Sequence, residues 1–164
     1  MSGNCWLVKS EPDTFSIQDL ALRPKQTEGW DGVRNYQARN YLRDGMKKGD
    51  PVLFYHSRIR QPAIVGLCSV VREGYPDASA WHRDSAHPDP KSTPENPIWY
   101  QVDLRLEIIF KGPVLLENLR KDSQMQEMAL LKKGNRLSVM PVSPAHYRRI
   151  MEMAGISVLP ERNQ

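Results

Sequence analysis

Cysteine is nearly missing from this chain: of 164 residues, only Cys5 and Cys68 carry a thiol. Two thiols so far apart make neither a disulfide framework nor a zinc-ligand pattern. Both lie in apolar, strand-like runs, where a small buried side chain is expected. Long apolar runs are missing as well, and none approaches the ~20 residues needed to span a bilayer. The stretch Met1 to Asn4 does not lead from a basic segment into an apolar one, so no secretory signal is expected. Also absent are a glycine-rich phosphate loop, a Gly-x-Ser-x-Gly elbow and any internal repeat. The expectation is a soluble intracellular protein, cytoplasmic, or nuclear in a eukaryote, and not membrane-bound.

Groups that imitate a catalytic or metal site fail on inspection. His82-Arg83-Asp84 copies a kinase triplet without its glycine loop or Asp-Phe-Gly partner. His82, His87, Asp84 and Asp89 match no ligand spacing, so no metal is expected. His56 and Ser57 are adjacent on a strand and point to opposite faces, which keeps them from forming a base–nucleophile pair. No catalytic residue and no cofactor are expected, and the chain is read as a non-enzyme.

What is present fits one domain, residues 1–160. A chain of this size buries roughly 70% of its unfolded surface and needs no staples. Apolar residues make up 40% and charged ones 26%, a globular balance. With 23 Lys and Arg against 19 Asp and Glu, the net charge is +4. That is compatible with an anionic partner and does not require one.

The chain reads as alternating short strands and helices. Cys5 to Val8 is a first strand. Ser16 caps a helix, with Phe15 and Leu20 at the two places of a hydrophobic staple, and Pro24 stops it. A second helix is expected to start near Asn35 and end before Gly45, with Gly45 as a left-handed C-terminal residue. Val52 to His56 and Ala63 to Val71 form a hairpin across the basic turn Arg58 to Pro62. Residues 74–97 hold five prolines and read as a long functional loop. Trp99 to Phe110 alternates apolar and polar residues, a half-exposed strand. Leu115 to Arg120 and Gln124 to Leu131 are short helical pieces, and Leu137 to Val142 is a last strand. Ser143-Pro144 opens a final helix ended by Gly155. About five strands with short helices between them favour a small twisted or barrel-like sheet over βαβ units.

One segment stands apart, Gly29-Trp30-Asp31-Gly32-Val33-Arg34-Asn35-Tyr36-Gln37-Ala38-Arg39-Asn40. It is too polar for a core and too aromatic for an ordinary loop. Trp and Arg offer flat faces, while Asn, Gln and Asp can read hydrogen-bonding edges, a combination suited to a planar polar ligand such as a nucleobase. Trp30 is the stacking candidate. Asn35 has a competing task as helix cap, and Arg39 can face solvent or phosphate. Trp99 is expected in the core, and Trp81 is undecided. Arg34, Arg39, Arg43, Lys47, Lys48, Arg58 and Arg60 are the candidates for holding phosphates.

That run resembles the EVE domain family, part of the PUA-like superfamily. So do Trp6-Leu7-Val8-Lys9-Ser10-Glu11-Pro12, Phe15-Ser16-Ile17, Phe54-Tyr55-His56-Ser57, Tyr75-Pro76-Asp77, Trp99-Tyr100-Gln101-Val102-Asp103 and Arg136-Leu137-Ser138-Val139-Met140-Pro141-Val142. The resemblance implies an α+β fold, a curved, barrel-like mixed sheet of about five to six strands with flanking short helices. It also implies a reader of a modified base, chiefly modified cytosine in DNA, held in an aromatic cage like that of the related YTH domains. Trp30 would supply one wall, and Lys9, Ser10, Asn35, Tyr55, His56, Ser57 and Tyr75 would line or orient the pocket. The implied partner is nucleic acid, DNA ahead of RNA; the oligomeric state is open, with a monomer favoured. The alternatives are a sensor of a nucleoside-like small molecule and an RNA-binding or RNA-processing accessory protein.

Overall fold

A computed structural model describes residues 4–157. Its six strands are β1 (Cys5–Ser10), β2 (Thr27–Gly29), β3 (Pro51–His56), β4 (Ala63–Pro76), β5 (Tyr100–Leu115) and β6 (Val139–Val142). Four helices accompany them: α1 (Ile17–Ala21), α2 (Tyr36–Asn40), α3 (Leu116–Lys121) and α4 (Pro144–Met153). The strands form one open mixed sheet in the order β2-β5-β4-β3-β1-β6. Only β1 and β3 are parallel, and the chain between them crosses over through α1, β2 and α2. This is the α+β architecture expected, with an open order of strands.

Local chemistry explains the helix ends. The Ser16 side chain accepts from the Asp19 N–H while the Asp19 carboxylate accepts from the Ser16 N–H, a reciprocal capping box. Asn35 caps α2 by accepting from the Ala38 N–H at 3.0 Å. Ser143 caps α4 in the same way, with Pro144 behind it, and Gly155 follows the helix at φ +75°.

The sheet buries both faces along its centre, and period-two alternation sorts the side chains. Trp6, Val8 and Phe54 join Ile17, Leu20, Trp30 and Leu42 in one core, beneath α1 and α2. Leu7, Leu53 and Tyr55 join Leu119, Met125, Ile150 and Met151 in the other, beneath α3 and α4. Cys5 and Cys68 are both buried, and burial pushes each thiol up to about 12.

Several expectations need correction. Gly45 is not left-handed. A π-helical turn, Tyr41–Gly45, continues α2, and glycine is needed because an added Cβ would meet the Trp6 ring at 2.8 Å. β4 runs on to Pro76 and β5 to Leu115, since the two long strands keep pairing past several bulges. β2 has no apolar alternation of its own and exists by pairing with Asp103 to Arg105 of β5. The last strand starts at Val139, and the piece after Gln124 forms only a 3-10 turn, Ala129–Leu131.

Candidate functional site

The C-terminal ends of the parallel strands β1 and β3 lie side by side, and a polar cluster has formed there. Ser10 pairs with His56, and the Ser57 N–H donates to the Ser10 carbonyl at 2.9 Å. The Ser10 hydroxyl donates to the Phe15 carbonyl. His56 Nε2 accepts from the Ile17 N–H at 3.1 Å, so the imidazole ties the start of α1 to the strand end.

Behind this cluster the aromatic rings stand edge to face. Phe15 meets Trp30 at 6.1 Å, Trp30 meets Phe54 at 5.4 Å, and Phe54 meets His56 at 5.6 Å, with interplanar angles from 72° to 82°. Trp30 is 8% exposed. It is therefore a core residue first, and only a margin of its indole can touch a ligand.

The long loop after β4 is fastened by a residue whose anchoring role sequence reasoning passed over. Asp77 is fully buried. Its carboxylate accepts from the Gly32 N–H and from Arg34 Nη1, both at 2.9 Å, and from the Ser79 N–H and hydroxyl. Gly32 sits at φ +79°, where glycine is favoured, and an added Cβ would strike the His87 ring at 2.9 Å. Arg34 also donates to the His87 carbonyl from Nε and Nη2. Arg39 Nη1 reaches the Ile98 carbonyl at 2.8 Å. Trp99 is buried, as expected, but outside the two main cores. It stacks at 4.9 Å on Tyr36 and donates to Asp89 at 2.7 Å. The loop is thus held against the Trp30–Asn40 segment by its arginines.

The structure brings Ser10 and His56 together at the strand ends, with the Ser57 N–H bonded to Ser10 and Trp30 behind them against Phe15 and Phe54. It does not bring Lys9 and Tyr55 to them, because Tyr55 packs in the second core and Lys9, its register partner, alternates to that same side. Asn35 spends its side-chain oxygen on the α2 cap. Tyr75 lies at the end of β4 against Gly29 of β2, where its hydroxyl donates to Asp103 and Arg72 covers its ring at 3.5 Å. Of the cationic candidates, Arg34 and Arg39 are engaged inside the protein. Arg43 pairs with Asp44, Lys47 lies 4.0 Å from Glu73, and Arg58 pairs with Glu11 at 3.1 Å. Lys48 and Arg60 are exposed without a side-chain partner among the described residues.

Burial sets the charge states at the strand ends. It lowers the His56 imidazole below its ordinary value and holds the Lys9 ammonium below its own. It pushes the Tyr55 hydroxyl up, against the opposing charge of Arg120. The Asp31 carboxyl is raised by desolvation and then by the like charges of Asp77 and Glu28. Because Nε2 of His56 is an acceptor, the neutral ring carries its proton on Nδ1. A lowered folded-state value means the unfolded chain binds that proton first. Stability from this contact is complete above about pH 6.5 and declines as pH falls toward the folded value. Imidazole nitrogen NMR at pH 7 is expected to show His56 as the neutral Nδ1–H tautomer. A protonated or Nε2–H ring would overturn that assignment.

Among the described residues, no helix is long and apolar enough to cross a membrane, and no group of three or more His, Cys, Asp or Glu is placed to hold a metal ion.

Comparison with known proteins agrees with this architecture. The chain is 41% identical over 167 residues to thymocyte nuclear protein 1 of Mus musculus, covering 92% of this chain and 73% of that protein. A protein of Leishmania major superposes with a TM-score of 0.87 at 44% identity, covering 94% of this chain and 96% of its own. Human THYN1 protein, in complex with 5-methylcytosine-containing DNA, superposes with a TM-score of 0.87 at 36% identity, covering 94% of this chain and 99% of that one. The EVE domain model matches residues 4–153, and the chain, with its PUA-like α+β fold, belongs to the EVE domain family.

Proposed function

We propose that this protein is a non-enzymatic reader of modified cytosine in DNA, with the base held at the β1/β3 strand ends against Trp30. The observation that carries the reading is the superposition, over nearly all of both chains, on human THYN1 protein in complex with 5-methylcytosine-containing DNA. The strand-end cluster supports it chemically. Neutral His56 has an Nδ1–H left to donate to the N3 and O2 edge of cytosine, and the Ser10 hydroxyl oxygen, its proton already given to the Phe15 carbonyl, is left as an acceptor for the 4-amino group. Extruding a base from a duplex costs a few kcal/mol. Stacking returns about 1–3 kcal/mol, less here because Trp30 offers only a margin. A methyl group in an apolar niche adds about 0.8 kcal/mol, close to fourfold in affinity. Arg34 and Arg39 act in this reading as positioning residues that hold the loop, and Lys47, Lys48 and Arg58 supply the cationic rim.

Fluorescence anisotropy with otherwise identical oligonucleotides, with and without one 5-methylcytosine, tests the reading. The modified strand is expected to bind about 3–10-fold more tightly, with affinity falling as salt rises. Equal affinity for the two sinks the proposal. Tight binding of the free nucleoside without any affinity for DNA would favour a small-molecule sensor instead.

A further inference from the structure

Beside the β3–β4 turn, where it meets the start of α3, lies a concavity. Its volume is about 350 Å³, and Arg60, Pro62, Leu115, Leu116, Arg120 and Lys121 are among its lining residues. That size is within the range of small-ligand clefts. We propose that this groove is a second nucleic-acid subsite, in which Arg60 and Arg120 hold phosphates flanking the modified base on the same strand. The proposal rests on the DNA reading above and extends it to a surface outside the base pocket.

Charge is the first argument. The groove carries three cations and one carboxylate, Glu117, which is already paired with Lys121 at 3.0 Å. Neither the Arg60 nor the Arg120 guanidinium has a hydrogen bond or ion pair among the described residues, so both planar forks are open to a phosphate. On the Trp30 side the position is the reverse: Arg34, Arg39 and Arg43 are all committed to protein partners. Phosphate contacts from free guanidinium groups must therefore come from elsewhere on the surface.

Connectivity is the second. The β3–β4 turn is a wall common to both places. At its start the Ser57 N–H bonds to Ser10, and Arg58 bonds to Glu11 at 3.1 Å. At its end the Pro62 carbonyl accepts from the Leu116 N–H at 2.8 Å. A strand leaving the Ser10–His56 end needs only to cross this short turn to reach the groove. There Pro62, Leu115 and Leu116 offer an apolar shoulder for a sugar or base face.

The test compares wild type with the variant carrying Arg60→Gln and Arg120→Gln, both at exposed positions. Against an oligonucleotide with one 5-methylcytosine and several nucleotides on each side, the variant is expected to bind about 10–100-fold more weakly. Its plot of log K against log salt is expected to be shallower by about 1–2. Its ratio of affinities for modified and unmodified DNA should equal that of wild type. A variant that binds with wild-type affinity and salt slope overturns the subsite. The second measurement changes the DNA instead: uncharged methylphosphonate links beside the modified base should weaken binding to wild type about 10-fold. They should weaken binding to the variant hardly at all, and equal loss in both proteins overturns the proposal. If wild type shows no preference for modified cytosine, the base-reading itself fails. If the preference stands and the two proteins bind alike, only the groove fails.

Discussion

Asp77→Ala is expected to lower the unfolding free energy by about 3 kcal/mol, because it removes one partner of a buried, multiply hydrogen-bonded ion pair. The Asp77 side chain is fully enclosed, and that of Arg34 is 20% exposed. Alanine would strand the Gly32 N–H, the Ser79 donors and part of the guanidinium without acceptors. For a domain of this length the loss amounts to a fall in Tm of roughly 6–12 °C. The loop from Asp77 to Trp99 should become the first site of proteolytic cutting, since its tie to Gly32 and one of its ties to Arg34 pass through this carboxylate. Urea denaturation and limited proteolysis check both statements. An unchanged midpoint with an uncut loop would show that the carboxylate is not the anchor.

The same carboxylate sets an acid limit. Burial pushes Asp77 up, but hydrogen bonds from Ser79, Gly32 and Arg34 outweigh burial and leave it below the ordinary carboxylate range. Its contribution is therefore present above the unfolded value of about 4 and is lost as pH falls through the lower folded value. Wild type should lose stability more steeply below pH 4 than the alanine variant.

Trp30→Ala is expected to cost about 3–5 kcal/mol, the usual range for emptying a buried aromatic site. It deletes the ring that both Phe15 and Phe54 meet edge to face. Loss of DNA binding in that variant would say little, because the pocket itself would be deformed. Trp30→Phe separates the two roles. It keeps an aromatic ring in the core at a cost of about 1–2 kcal/mol, and removes the outer part of the indole, where a base would touch. The expected result is a folded protein whose preference for 5-methylcytosine falls to near unity while its non-specific, salt-dependent affinity remains. A full preference in Trp30→Phe would remove Trp30 from the pocket wall.

Much of the site was legible in the sequence wherever the deciding contact is local. The caps at Ser16, Asn35 and Ser143 depend on donors within three residues, so residue type and spacing suffice to place them. The division of the strand-end residues was legible too, through a rule that the contiguous reading of Lys9-Ser10 and Tyr55-His56 neglects. Alternation along a strand sends neighbours to opposite faces, and it is this that parts Lys9 and Tyr55 from Ser10 and His56. Asp77 entered only as the end of the Tyr75-Pro76-Asp77 motif, with no sign of its anchoring role. Its partners Gly32 and Arg34 are more than forty positions away, and nothing local distinguishes this aspartate from a solvated loop residue. Arg120 escaped notice for the same reason, since its groove exists only because the β3–β4 turn folds back on the start of α3.

By itself, then, the sequence determined most of the elements, the basic balance and the family, because each follows from composition, spacing or a contiguous motif. The tertiary structure alone decided what the charged and aromatic side chains are for. It took Arg34 and Arg39 away from solvent by giving them loop carbonyls and a buried carboxylate. It turned Trp30 from an open platform into a core ring with one margin showing, and it left Arg60 and Arg120 as the unpaired forks of a groove. The physical reason is that a polar or aromatic side chain is free to act on a ligand only where the fold offers it no partner. Its potential partners in this chain come from segments far away in sequence.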